Sequence, residues 1–189
     1  MKQTITMEKT MKRSILILLV TGTALLYFGC SEDNCTAPEE SNQAFTGTSK
    51  WVADIDPGVT TVLEDGRTLI TGQTAEWYDS TDVAMVTGKS FWNVNWLIEE
   101  DGTAQLWAMA ELIVDDGGGK WEFTWSGTRT PTVEGPFTEW VSPFKIVGDA
   151  IGTGIEGDVN GLDAKWTYTM DFDGDFSSVF YNSEGYIVK

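Results

Sequence analysis

The indoles Trp92, Trp96 and Trp107 fall close in sequence to the amides Asn93, Asn95 and Gln105. Indole rings bury large apolar area, and side-chain amides both donate and accept hydrogen bonds. The set of six therefore predicts a ligand site where rings stack on a sugar or an apolar molecule and amides orient it. Carboxylates are the second chemical resource. Glu76, Glu111 and Glu122 sit inside strand-like runs and are the acids best placed for a catalytic pair, which in glycoside hydrolysis is about 5–10 Å apart. Their alternation puts most of them on an outer face, so no catalytic residue is assigned. The chain has no His. That excludes Ser-His-Asp and Cys-His triads and any His-ligated zinc or haem.

Two further motifs fail on context. Asp171, Asp173 and Asp175 resemble the start of a calcium loop, but an EF-hand needs Gly at the sixth position and Glu at the twelfth, where this chain has Phe176 and Asn182. The run reads as a hairpin turn with solvated carboxylates, and no metal site is assigned. Gly152-Thr153-Gly154-Ile155-Glu156-Gly157 has the spacing G-x-G-x-x-G. A dinucleotide site needs a helix N-terminus behind that loop, and no helical run follows. The segment reads as a Gly-rich loop or bulge at a barrel corner, and no cofactor is expected.

Charge narrows the partners. The 189 residues hold 12 Lys or Arg against 29 Asp or Glu, a net charge of −17. A field of that sign repels nucleic acid.

The first residues are an address. Lys12 and Arg13 precede an apolar run, Ile15 to Phe28, of 14 residues. A membrane-spanning helix needs about 20. A basic start followed by a short apolar run reads as a signal peptide. Leu26-Tyr27-Phe28-Gly29-Cys30 resembles a bacterial lipobox, a family in which the Cys is lipidated and becomes the first mature residue. Ser31 after the Cys resembles the outer-membrane sorting pattern, and Ser31-Glu32-Asp33 resembles the acidic tag of surface-sorted lipoproteins. The alternative is a Cys30–Cys35 disulfide in a fully secreted protein. Residues 1–29 carry four basic residues and one acid, so their removal leaves a net charge of −20. The expected organisation is a lipoprotein signal peptide at 1–29, a lipidated Cys30 and flexible tether at 30–49, and one domain at 50–189. The expected place is the bacterial outer membrane, periplasmic or surface-exposed.

The body alternates with period 2, as strands do. Trp121, Phe123 and Trp125 share one face, as do Trp92, Val94, Trp96 and Ile98, and also Trp166, Tyr168, Met170 and Phe172. Leu106, Ala108, Ala110 and Leu112 suit a helix by composition, but flanking glycines and the β-branched Ile113-Val114 favour a strand. Acid–Gly pairs at 65–66, 101–102, 116–117 and 173–174 mark tight turns. Strands are expected at 50–55, 66–77, 82–98, 103–114, 120–129, 140–148, 163–172 and 178–188. The fold class is all-β, a single antiparallel barrel of roughly eight strands, with a two-sheet sandwich as the alternative. Nine Trp exceed what a small barrel interior holds, so some are expected outside as an interaction patch or around a cavity mouth.

Two segments carry a family resemblance. Gly118-Gly119-Lys120-Trp121 to Trp125-Ser126-Gly127-Thr128 and the Gly-rich entry from Gly152 to Trp166 are similar to secreted bacterial proteins of the allene-oxide-cyclase and dirigent barrel type. The resemblance spans residues 66 to 172. It implies an eight-stranded antiparallel barrel with an apolar cavity, in a dimer or trimer. It supplies no catalytic motif. The expected function is a lipid-anchored envelope protein holding a small hydrophobic or glycan ligand. The alternatives are a structural or protein-interaction lipoprotein with a filled barrel, and a cyclase, isomerase or hydrolase using cavity carboxylates.

Overall fold

A computed structural model describes residues 42–133, 142–174 and 179–188. Nine strands follow in order: β1 (Gln43–Asp56), β2 (Val59–Val62), β3 (Thr68–Thr81), β4 (Gly88–Ile98), β5 (Ala104–Val114), β6 (Gly119–Pro131), β7 (Phe144–Gly157), β8 (Asp163–Phe172) and β9 (Phe180–Val188). From β2 to β9 each strand pairs antiparallel with the next. β9 then pairs with β1, and β1 pairs with β3. The ring is a closed eight-stranded antiparallel barrel with β2 laid outside it on β3. Closure leaves no free edge on the ring, which is how an all-β domain avoids edge-to-edge association.

Alternation decides the faces. Along β5, every second residue from Ala104 to Val114 is buried and every residue between is exposed. The same rhythm runs through β6, β7 and β8. The Asp116-Gly117 pair has positive φ at both residues, 55° and 77°, as its turn between β5 and β6 requires.

The structure moves several expected boundaries. β1 begins at Gln43, so residues 43–49, expected in the tether, belong to the barrel. Their polar composition hid a strand whose inward residues are Phe45 and Ser49, both buried. The expected strand at 82–98 starts only at Gly88, because residues 82–87 turn over one barrel end and bury Val83 and Val86. Trp121 Nε1 donates to the Met85 carbonyl at 2.7 Å and fixes this plug. β7 runs to Gly157, so Gly152 to Gly157, read as a loop, lie in a strand. A register shift against Lys120 and Trp121 leaves Ile155 as an extra residue, so the bulge half of that reading holds.

The inward glycines of β7 make room for indoles. A Cβ on Gly148 would fall 2.5 Å from the Trp125 ring, and one on Gly152 would fall 2.8 Å from the Trp166 ring. Trp92 sits edge-to-face with Phe123, Trp125 and Tyr168, at centroid distances of 5.1, 5.8 and 5.4 Å. Such pairs add about 0.5–1.5 kcal/mol each beyond area burial. Aromatic stacking therefore fills the middle of the barrel.

Candidate functional site

A bulge on β3 sets the site. Ile70 pairs with Trp96 and Gln73 with Val94, so β3 spends one residue more than β4 across this step. Gly72 takes φ 71°, and its N–H donates to Asn95 Oδ1 at 3.0 Å. The extra residue reverses the parity of β3. Beyond it Gln73, Ala75, Trp77 and Asp79 lie on the inner face, where the first three line a cavity.

The cavity has a volume of about 410 Å³. Trp77, Trp92, Trp96, Trp125, Tyr168 and Tyr181 supply most of its aromatic wall, with Leu106, Ile146 and Met170 among the aliphatic lining. Trp51, 38% exposed, and Asp54, exposed, stand at its solvent side. Trp51 Nε1 donates to Asp54 Oδ1 at 3.3 Å, and Trp96 Nε1 donates to Gln73 Oε1 at 2.7 Å. Among the described residues, Trp125 Nε1 is buried without a hydrogen-bond partner. It is a donor left for water or a ligand acceptor.

Behind the wall lies a buried acid. Asp79 is 3% exposed. Ser90 Oγ donates to Asp79 Oδ2 at 2.5 Å and in turn accepts from Trp92 Nε1 at 3.0 Å. Tyr168 OH lies 3.5 Å from the other carboxylate oxygen, and the Ser49 hydroxyl is also bonded to the acid. Burial pushes the Asp79 carboxyl up to about 6, against the opposing pull of these hydroxyls. Burial likewise raises the Tyr168 and Tyr181 phenols, so both stay protonated donors. Ser49 and Tyr168 touch both Asp79 and the cavity, and so connect the two.

The six residues expected to form one ligand site divide between two faces. Trp92 and Trp96 line the cavity. Asn93, Asn95, Gln105 and Trp107 do not, because the pleat sends alternate residues outward. Asn95 has a structural task at the bulge. Trp107, 43% exposed, sits beside the 71%-exposed Met109 on the outer face of β5. The three strand acids also face out. Glu76 pairs with Lys89 at 3.0 Å and Glu111 with Lys120 at 2.8 Å, while Glu122 is exposed on β6 opposite Glu111. Asp171 pairs with Lys145 at 3.7 Å. Cys30, Cys35, Trp140 and Asp175 lie outside the described residues.

Sequence reasoning missed Asp79, Gln73, Trp77 and Ser49. The available signal was one small polar residue, Ser90, at an inward position on the otherwise apolar inner face of β4. Compared with family models, with curated proteins and with solved structures, the chain matches none. The reading of the site therefore rests on its geometry.

Proposed function

We propose that this protein binds a small, mainly apolar ligand in its barrel, and that it does so tethered to the bacterial envelope by a lipid on Cys30. The observation that carries the binding reading is the cavity beside Trp77 and Trp96, about 410 Å³ and lined mostly by rings and aliphatic side chains. That volume lies in the usual range of small-molecule pockets, about 300–1,000 Å³. A few polar groups, Gln73, Ser49, Tyr168 and Asp54, punctuate the wall and suit orientation of one ligand. This sparse polar lining favours an apolar molecule over a glycan, whose hydroxyls each need a partner when buried. The lipid reading rests on the short apolar run ending at Cys30.

The test is thermal unfolding of the chain from Ser31 against small aromatic and aliphatic probes. Filling a native-state site at about 100 times Kd adds about 2.7 kcal/mol and raises the midpoint visibly. The expected result is a rise for at least one probe that Trp77→Ala abolishes. A flat response across the panel overturns the binding reading. The anchor is tested separately: Cys30→Ala is expected to leave the membrane fraction, and retention there overturns it.

A further inference from the structure

The geometry points to a cationic ligand for this cavity: an organic ammonium held by indole and phenol rings, with its charge answered by Asp79 and Asp54. This rests on the binding reading above and names the ligand class.

Asp79 is buried, and the groups bonded to it are neutral: Ser49 from β1, Ser90 from β4 and Tyr168 from β8. Among the described residues no Lys or Arg forms an ion pair with it. A buried carboxylate without an opposite charge is costly, and proteins ordinarily pair it. Among the described residues, none that lines the adjoining cavity is Lys or Arg. The buried Arg129 is not among them. It sits on the Phe144 ring at 4.3 Å, donates to the Gly102 carbonyl, and pairs on the ladder with Ala104, at the opposite end of β5 from Val114 and the Gly88 rung that Asp79 joins. Among the described residues the counter-charge is thus absent from the wall as well as from the acid's hydrogen-bond partners.

The wall then selects the form of the cation. Aromatic rings attract ammonium groups through their negative faces, most strongly when water is excluded. Trp51, Trp77, Trp92, Trp96, Tyr168 and Tyr181 all line this one space. Asp54 adds a carboxylate on the solvent side, steadied by the Trp51 indole. Ser49 and Tyr168, which line the cavity and are bonded to Asp79, link an ammonium held there to the acid. A net charge of −17 draws cations toward the protein and repels anions. An anionic ligand finds no cation among the described residues of this lining, and a neutral one leaves the carboxylate unanswered.

The experiment compares three probes of one shape on the chain from Ser31: benzyltrimethylammonium, its uncharged carbon isostere neopentylbenzene, and phenylmethanesulfonate. Affinity is read by quenching of tryptophan fluorescence and by the shift in unfolding midpoint. At about pH 8 the cation is expected to bind about tenfold more tightly than the neutral isostere, and the sulfonate not at all. Asp79→Asn is expected to remove most of that preference while leaving neopentylbenzene affinity in place. Asp54→Asn, at an exposed position, is expected to lower cation affinity about two- to threefold and serves if Asp79→Asn does not fold. Equal or tighter binding of the neutral isostere overturns the cation inference and leaves the cavity reading standing. So does tighter binding of the sulfonate. Failure of all three probes overturns the cation inference, and the wider panel of aromatic and aliphatic probes decides the cavity reading.

Discussion

The Trp166 indole lies against Gly152, its Cζ3 atom 2.8 Å from where a Gly152 Cβ would be. β8 can carry a large ring at this position because β7 carries none. Ala150 pairs directly with Trp166, and Gly152 pairs with Phe123 on the other side. Gly152→Ala is therefore expected to destabilise the barrel by about 1–3 kcal/mol, as overpacking does. Trp166→Leu costs more alone, but the double variant should be less destabilised than the sum of the two by about 1 kcal/mol or more. Denaturant unfolding of the four proteins checks this. Strict additivity would mean that the glycine is not there for the ring.

The second expectation concerns the start of the domain. β1 pairs with β9 from Gln43 to Lys50 and with β3 from Gly47 to Asp56, so its first half closes the ring. It also brings Phe45, edge-on to Trp166 at 5.6 Å, and the Ser49 hydroxyl that meets Asp79. A chain beginning at Asn42 is expected to unfold cooperatively with the stability of the chain from Ser31. A chain beginning at Lys50 keeps only the Lys50–Phe180 rung of the β9 pairing and loses the Phe45 packing, and is expected to lose cooperative unfolding by circular dichroism. Equal midpoints for the two would return residues 43–49 to the tether.

The barrel was legible where one face is buried without interruption. Leu106, Ala108, Ala110 and Leu112, or Trp121, Phe123 and Trp125, alternate because the same wall stays inward for the whole strand. The site was not legible because its parity is set by the β3 bulge, and a bulge is visible only once two strands are aligned. Reading Trp77-Tyr78-Asp79 along the chain gives no reason to bury the acid. Grouping Asn93 and Asn95 with Trp92 and Trp96 by closeness ignored the pleat, which sends neighbours to opposite faces. Gly152, Gly154 and Gly157 read as loop because glycine punctuates loops most often. Here Gly152 answers a ring that projects from β8, Trp166.

A third expectation follows from the buried acid. Asp79 has its carboxyl pushed up to about 6 from an ordinary 3.8. The folded protein therefore holds this proton more tightly than the unfolded chain does. Stability from this group is present at low pH and falls as pH rises from about 4 through about 6, levelling above it. The cost on reaching neutral pH is on the order of 3 kcal/mol. Asp79→Asn removes the charge and keeps an acceptor, so its stability relative to the natural protein should rise with pH across that window. Chemical unfolding of both proteins at about pH 4.5 and about pH 8 measures the difference. A difference that is flat or falls with pH would show that Asp79 is ionised without penalty.

The bulge provides the last expectation. Asn95 sits on the outer face of β4 and does not line the cavity, yet its Oδ1 accepts the N–H of Gly72 at 3.0 Å. That bond holds the one position at which β3 changes parity, on which the inward placement of Gln73, Trp77 and Asp79 depends. Asn95→Ala leaves the amide without its acceptor and is expected to cost about 1 kcal/mol. Asn95→Asp keeps an acceptor and should cost less. Gly72→Ala meets no atom within 4 Å but must hold φ 71°, so its penalty of about 1–2 kcal/mol is backbone strain alone. Because the bulge aims the wall, Asn95→Ala should also weaken probe binding in the cavity, although the residue lies on the opposite face of the sheet. A stable Asn95→Ala protein with unchanged probe affinity would show that the ladder on either side holds the parity without it.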